Sequence, residues 1–267
     1  MNTTLFGHLW RSQRTKLLIV CLAMAFWSLF LPVIYQSFGS QMQALVDSGI
    51  FPKELMSFGG GDVFSLGGSI ALGYVHPISI ILVAVFAIGF TTASVAGERQ
   101  RGTLEVLLAR PVSRRRLYVT ALVAALLFIA FVLASALIGT VVGAALAGVL
   151  DQLALERLPV LWLNGMLLWG SFAAIGLAAS VSFDRFTPAI GVTVAIVIVM
   201  YFLDILGSLW PDAKGLQPWS LFHYLSAADV LAGTVSLPGF ALLAAVGVAA
   251  VAYALAVFPR RDLAAPS

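Results

Sequence analysis

Charge is scarce in this sequence. Asp, Glu, Lys and Arg make up 10% of its 267 residues, against about 25% in an ordinary soluble domain. A soluble fold of this length would lack the polar surface to cover itself. Cysteine is reduced to Cys21, which excludes an intrachain disulfide and a cysteine metal cluster. Its neighbours Leu22 to Phe26 make it an apolar residue facing lipid or another helix. Lysine occurs at Lys16, Lys53 and Lys214, and none of these follows a glycine. The phosphate-binding loop Gly-x-x-x-x-Gly-Lys-Ser/Thr is therefore missing. His8, His76 and His223 are far apart and no His-Glu-x-x-His is present, so no metal site is expected. Gly-x-Ser-x-Gly is also missing, and with it the signal for that serine nucleophile. No catalytic residue is assigned, and the chain is not expected to be an enzyme.

What is present is apolar sequence, 61% of the residues, arranged in long blocks. Blocks of roughly 18 or more read as membrane spans, because the hydrocarbon core is about 30 Å thick and a helix rises about 1.5 Å per residue. Open strands leave unpaired edge groups in lipid, and the alternating segments of about ten residues that a barrel requires are lacking. The expected class is an all-α integral membrane protein. Six transmembrane helices are expected, at about 17–35, 77–96, 117–150, 160–181, 187–206 and 238–258. The first block is too long for the apolar stretch of a cleavable signal and reads as a retained anchor.

Between these blocks the sequence varies in character. The first dozen residues place Leu5, Phe6, Leu9 and Trp10 on one face, beside His8, Arg11 and Arg14. That pattern predicts an amphipathic N-terminal interfacial helix. A polar, glycine-rich stretch follows span one, Gln36 to Tyr74, with Phe64 to Leu72 expected to dip into the interface. Span three is longer than the roughly 20 residues a bilayer needs, and Gly139 and Gly143 are candidate bend points. The same pair spells a small-residue packing face. A partly apolar helix is expected from Trp219 to Leu231.

Basic residues orient the chain. With both termini, the segment Glu98 to Arg116 and the Asp184 turn on one side, only Lys53, Arg157 and Lys214 of the 15 lysines and arginines fall on the other. The positive-inside rule then puts both termini in the cytoplasm. The expected location is the cell (plasma or inner) membrane. The net charge of +3 carries no nucleic-acid signal once the charges are mapped this way. Asp204 is the one acid well inside an apolar block, which marks it as a possible intramembrane functional residue. Its place near the outer end of span five leaves an interfacial or helix-pairing role and a translocation role both open.

The most charged segment joins spans two and three. Leu104, Leu107 and Leu108 form a short apolar stripe at i, i+3 and i+4. Glu98 with Arg101, and Arg101 with Glu105, lie within helical pairing reach. Pro111 ends the helix, and Arg114, Arg115 and Arg116 anchor the next span at the headgroups. The prediction is a short surface helix, apolar on one side. It suits either a groove on a soluble partner or the lipid surface.

This segment resembles the loop between spans two and three of the type-2 ATP-binding-cassette (ABC) exporter permeases, which tends to read Glu-Arg-x-x-Gly-Thr-Leu-Glu-x-Leu-Leu-x-x-Pro-Val-Ser-Arg. Glu98, Arg99, Gly102, Thr103, Leu104, Glu105, Leu107, Leu108, Pro111, Val112, Ser113 and Arg114 fill those positions. One departure is Thr120 and Ala121 where the family often has Gly-Lys; Arg115 and Arg116 are left to supply the anchoring charge. The resemblance implies a single permease domain over residues 1–267 with a short cytoplasmic coupling helix. It implies contact with cytosolic ABC ATPase subunits through the positions just named except Val112, together with Arg101. ATP and Mg would be bound by that partner, and this chain would hold no cofactor. A second permease copy, identical or related, would complete a homodimer or heterodimer in the lipid bilayer. The pathway would run between spans one, two and five, and transport would be export. Two other readings remain at this point: a non-transporting scaffold or assembly factor, and a secondary transporter, which would want more intramembrane charge than Asp204 offers.

Overall fold

The computed structural model describes residues 2–47, 65–104 and 112–261, with side chains described to 38 in the first stretch. Every regular element among them is helical. Helix α1 spans Thr3–Asp47. Helices α2 (Leu66–Val75) and α3 (Pro77–Ala84) form a pair bent by 48°. The chain continues from α3 through two π-helical stretches, Val85–Phe90 and Ala93–Gly97, into the short α4 (Glu98–Gln100). Then come α5 (Arg114–Leu146), α6 (Leu158–Ser182), α7 (Phe186–Leu209), α8 (Ala227–Ala232) and α9 (Leu237–Val257). Among the described residues, five helices are long and apolar enough to cross a membrane, and the bent pair makes a sixth span if it is counted as one.

The amphipathic start does not form a separate interfacial helix. No glycine or proline lies between His8 and Leu31, so nothing interrupts the backbone ladder, and α1 runs on through Pro32. At 45 residues it is about 68 Å long. Its apolar face meets protein: Trp10 stacks on Phe128 with ring centres 5.9 Å apart and tilts against Phe131 at 5.7 Å. The Asn2 amide donates to Thr120 Oγ1 at 2.9 Å. A stripe that suits the lipid interface suits the face of α5 equally well.

The same helix pair accounts for Gly139 and Gly143. Helix α5 is unbroken through both. A Cβ on Gly139 would overlap the Ala25 backbone, and one on Gly143 the Leu29 backbone. These glycines let α1 and α5 approach within the chain and do not bend α5.

The break in the second span is built locally. Ser65 caps α2 by accepting from the Gly68 amide at 2.9 Å. His76 is extended and accepts from Ile78 N through Nδ1 at 3.3 Å, and Pro77 opens α3 at a position that needs no amide donor. The expected interfacial dip is instead an internal half-helix, with Leu66, Ile70, Ala71 and Tyr74 buried. Further along, Thr91, Thr92 and Ser94 donate to carbonyls one turn back at 2.7, 2.6 and 2.7 Å. Such back-bonding competes with the regular ladder, and the π-helical stretches lie here.

Helix α6 is central. It packs on α3's π-helical continuation, α5, α7 and α9, and Ser171 donates to the Leu243 carbonyl of α9 at 2.6 Å. Helices α1 and α7 keep broad exposed apolar faces, including Leu18, Leu22 and Phe26, and Ile198, Val199 and Phe202. The predicted helix from Trp219 to Leu231 is broken into a 3-10 turn at Phe222–Tyr224 and the short α8. Ser220 accepts from the Phe222 amide at 3.0 Å and donates to the Met200 carbonyl at 2.6 Å. Asn164 donates to the Tyr224 carbonyl at 2.9 Å. Tertiary partners thus claim groups that a continuous helix would use.

Candidate functional site: the base of the loop between spans two and three

Residues 98–104 and 114–116, the Asp184 turn and both described chain ends meet at one end of the bundle, the basic end. The helical continuation of α3 stops at Gly102, whose φ is 72°, a left-handed conformation that glycine adopts without steric cost. Its amide donates to the Arg99 carbonyl at 3.0 Å. The predicted surface helix is therefore interrupted at Gly102 and restarts at Thr103–Leu104. Glu98 pairs with Arg101, as the spacing anticipates. Thr103 turns back to Glu98 as well, donating to its carbonyl at 3.1 Å.

Two of the named positions face inward. Leu104 is 1% exposed and sits with Val95, Leu117, Tyr118, Val181 and Phe258. The stripe reading turned it outward, to a partner groove or to lipid; its side chain instead holds the loop base against α5, α6 and the end of α9. Arg99 is 9% exposed and reaches Asp184 Oδ1 at 2.6 Å. Arg101, Gly102, Thr103 and Ser113 are exposed. A cavity of about 520 Å³ between the first turns of α1 and the loop base is lined by His8, Ser12, Glu98 and Arg101 among others, so this ion pair borders open space. Glu105, Leu107, Leu108 and Pro111 lie outside the described residues.

The loop base is tied to α5, α6, α7 and the end of α9. Ser180 of α6 accepts from the Val95 and Ala96 amides at 3.1 and 2.9 Å and donates to the Thr92 carbonyl at 2.7 Å. Gln100 accepts from the Phe186 amide at 2.8 Å, capping α7. Ser113 caps α5 by accepting from Arg116 N at 3.3 Å. Arg114 donates to the carbonyls of Phe258, Pro259 and Arg261 at 3.2, 3.3 and 2.6 Å. Arg261 in turn pairs with Asp184 and donates to the Val181 carbonyl at 2.7 Å. Sequence reasoning missed Gln100, Ser180, Asp184 and Arg261. The available signal was Asp184, an acid in a turn at an end otherwise rich in arginine.

Asp204 lies at the opposite end, in the last turns of α7, with its side chain 18% exposed. Its Oδ1 is 4.0 Å from His223 Nδ1. It lines a cavity of about 430 Å³ with Ser208, Lys214, Gln217, His223 and Asp229. Gln217 bridges the Asp204 carbonyl and the Ser208 hydroxyl at 3.3 and 3.0 Å. This acid is thus placed against the segment that follows α7, with no position at the centre of the bundle.

Comparison with known proteins places this architecture. No individual curated protein matches the chain. A family model described as ABC-2 family transporter protein matches residues 6–263, nearly the whole length, and the chain belongs to that family.

Proposed function

We propose that the loop between spans two and three receives the ATP-driven motion of a separate ABC ATPase and that the transporter exports its substrate. Membership of the ABC-2 family makes the chain a membrane permease component of an ABC transporter, a component that works with an ATP-binding subunit. The observation that carries the loop assignment is its division of labour. Arg99 and Leu104 fasten the base inside the chain, while Arg101, Gly102 and Thr103 are presented outward on it. A push on such an anchored projection is delivered to the helices beneath it, whereas a loosely attached loop would absorb it.

In this reading the basic end is cytoplasmic, in keeping with the positive-inside rule, and the membrane is the cell membrane. The exposed apolar faces of α1 and α7 face lipid or a second permease copy, identical or related, and the pathway runs along that boundary. Hydrophobic or amphipathic cargo suits a route lined by such faces. ATP and Mg belong to the partner.

The test is co-purification of ABC ATPase subunits with the chain from native membranes. Arg101→Glu combined with Leu108→Asp is expected to lower ATPase recovery at least about tenfold, the loss corresponding to roughly 1.4 kcal/mol of binding free energy. Unchanged recovery would remove the loop from the contact. Leu104 is a poor choice for this test, because its side chain is part of the chain's own core.

A further inference from the structure

The two ends of the loop are joined through residues that lie far away in sequence. On the entering side, Arg99 holds Asp184 Oδ1 at 2.6 Å. The same oxygen receives Arg261. Arg261 offers its own carbonyl to Arg114 at 2.6 Å, and Arg114 opens α5 on the leaving side of the loop. The circuit therefore runs from Arg99 to Asp184, to Arg261, to Arg114, closing across the loop's base. Asp184 lies in the short connection between α6 and α7, and Arg261 also holds the end of α6 through the Val181 carbonyl at 2.7 Å.

This circuit has a mechanical consequence. The loop is covalently continuous only with the second span before it and with α5 after it. Helices α6, α7 and α9 follow its displacement only through noncovalent ties. Charge-assisted hydrogen bonds are the shorter and stronger kind, and Asp184 Oδ1 is where two of them converge. The neutral bond from Phe186 N to Gln100 ties α7 alone.

We propose that Asp184 is a positioning residue that carries displacement of the loop into the α6–α7 turn, with Arg261 as its second arm. The proposal rests on the loop being the ATPase contact. It assigns to the turn and the carboxy-terminal end a part in coupling, separate from partner binding.

The test uses the chain in lipid nanodiscs with the ABC ATPase that co-purifies with it, in a Cys21→Ser background. Spin labels are placed at Leu146→Cys on α5 and Trp210→Cys after α7, both exposed. The distance between them is measured without nucleotide and after trapping with Mg-ATP and vanadate. The chain carrying Asp184 is expected to shift on trapping. Asp184→Asn is expected to lose the shift while ATPase recovery stays unchanged, and Asp184→Glu is expected to restore it. A merely structural ion pair would lower recovery and stability without separating the two readouts. A full shift in Asp184→Asn, or no shift with Asp184 in place, overturns the proposal. If Asp184→Asn does not reach the membrane, Arg261→Gln is read in its place: loss of the shift supports the proposal and a full shift overturns it. If no ABC ATPase co-purifies with the chain, the loop reading fails at that step, before any distance is measured, and the proposal falls with it.

Discussion

Gly102 is the point at which one residue decides the shape of the loop. Nothing lies within 4 Å of the Cβ it lacks, so space is not the constraint; its φ of 72° is. A non-glycine residue in the left-handed region costs roughly 1–2 kcal/mol, and asparagine tolerates it best. Gly102→Val is therefore expected to weaken ATPase recovery and to speed proteolytic cleavage near the loop, with Gly102→Asn close to the unsubstituted chain. Leu104 supplies a complementary case. Truncating a fully buried leucine costs about 2–5 kcal/mol, so Leu104→Ala is expected to lower the Tm of the detergent-solubilised chain. Arg101→Ala, on an exposed side chain, is expected to leave it within experimental scatter. Equal effects of the two would contradict the inward placement of Leu104. The loop pattern made both residues stand out in the sequence but gave them one role. Residue spacing shows which side chains share a helix face. It does not show whether that face turns toward the chain's own core, and here the break at Gly102 turns Leu104 inward.

At the scale of elements, the contact between α1 and α5 shows where apolar pattern is ambiguous. The stripe of Leu5, Phe6, Leu9 and Trp10 satisfies lipid and protein alike, since lipid tails are as apolar as a packed helix face. The glycine pair Gly139 and Gly143 marks close approach without naming the partner. Both ambiguities resolve together: α1 lies along α5, with Ala25 and Leu29 over the glycines. Overpacking a filled contact costs typically about 1–3 kcal/mol. Gly139→Leu is thus expected to lower Tm and yield, while Gly191→Ala, with nothing near its Cβ, is expected to be neutral. A neutral Gly139→Leu would mean that the two helices do not approach as described. That the chain is a set of long apolar helices was legible because hydrocarbon thickness acts on every segment alike; that the first runs on from the N-terminal stripe and the second is bent at His76 and Pro77 was not. The clasp of Asp184 and Arg261 was not legible, because their pairing depends on how α6 and α9 pack.

The whole molecule is asymmetric in charge and in construction. The basic end is cross-linked by arginine to carbonyls and carboxylates, and the opposite end closes over a cavity that holds Asp204 and His223. With the basic end in the cytosol, a membrane-impermeant maleimide added to intact cells is expected to label Trp219→Cys but not Thr103→Cys, in a Cys21→Ser background. The reverse pattern would invert the topology. The most direct test of the coupling claim starts from Thr103, which is exposed on the loop base. A photo-crosslinking amino acid at Thr103 is activated in native membranes, and its adducts are identified by mass spectrometry, with Trp219 as the control site. An adduct to an ABC ATPase subunit from Thr103 and none from Trp219 is the predicted result. ATPase adducts absent at Thr103, or formed from Trp219, would contradict it.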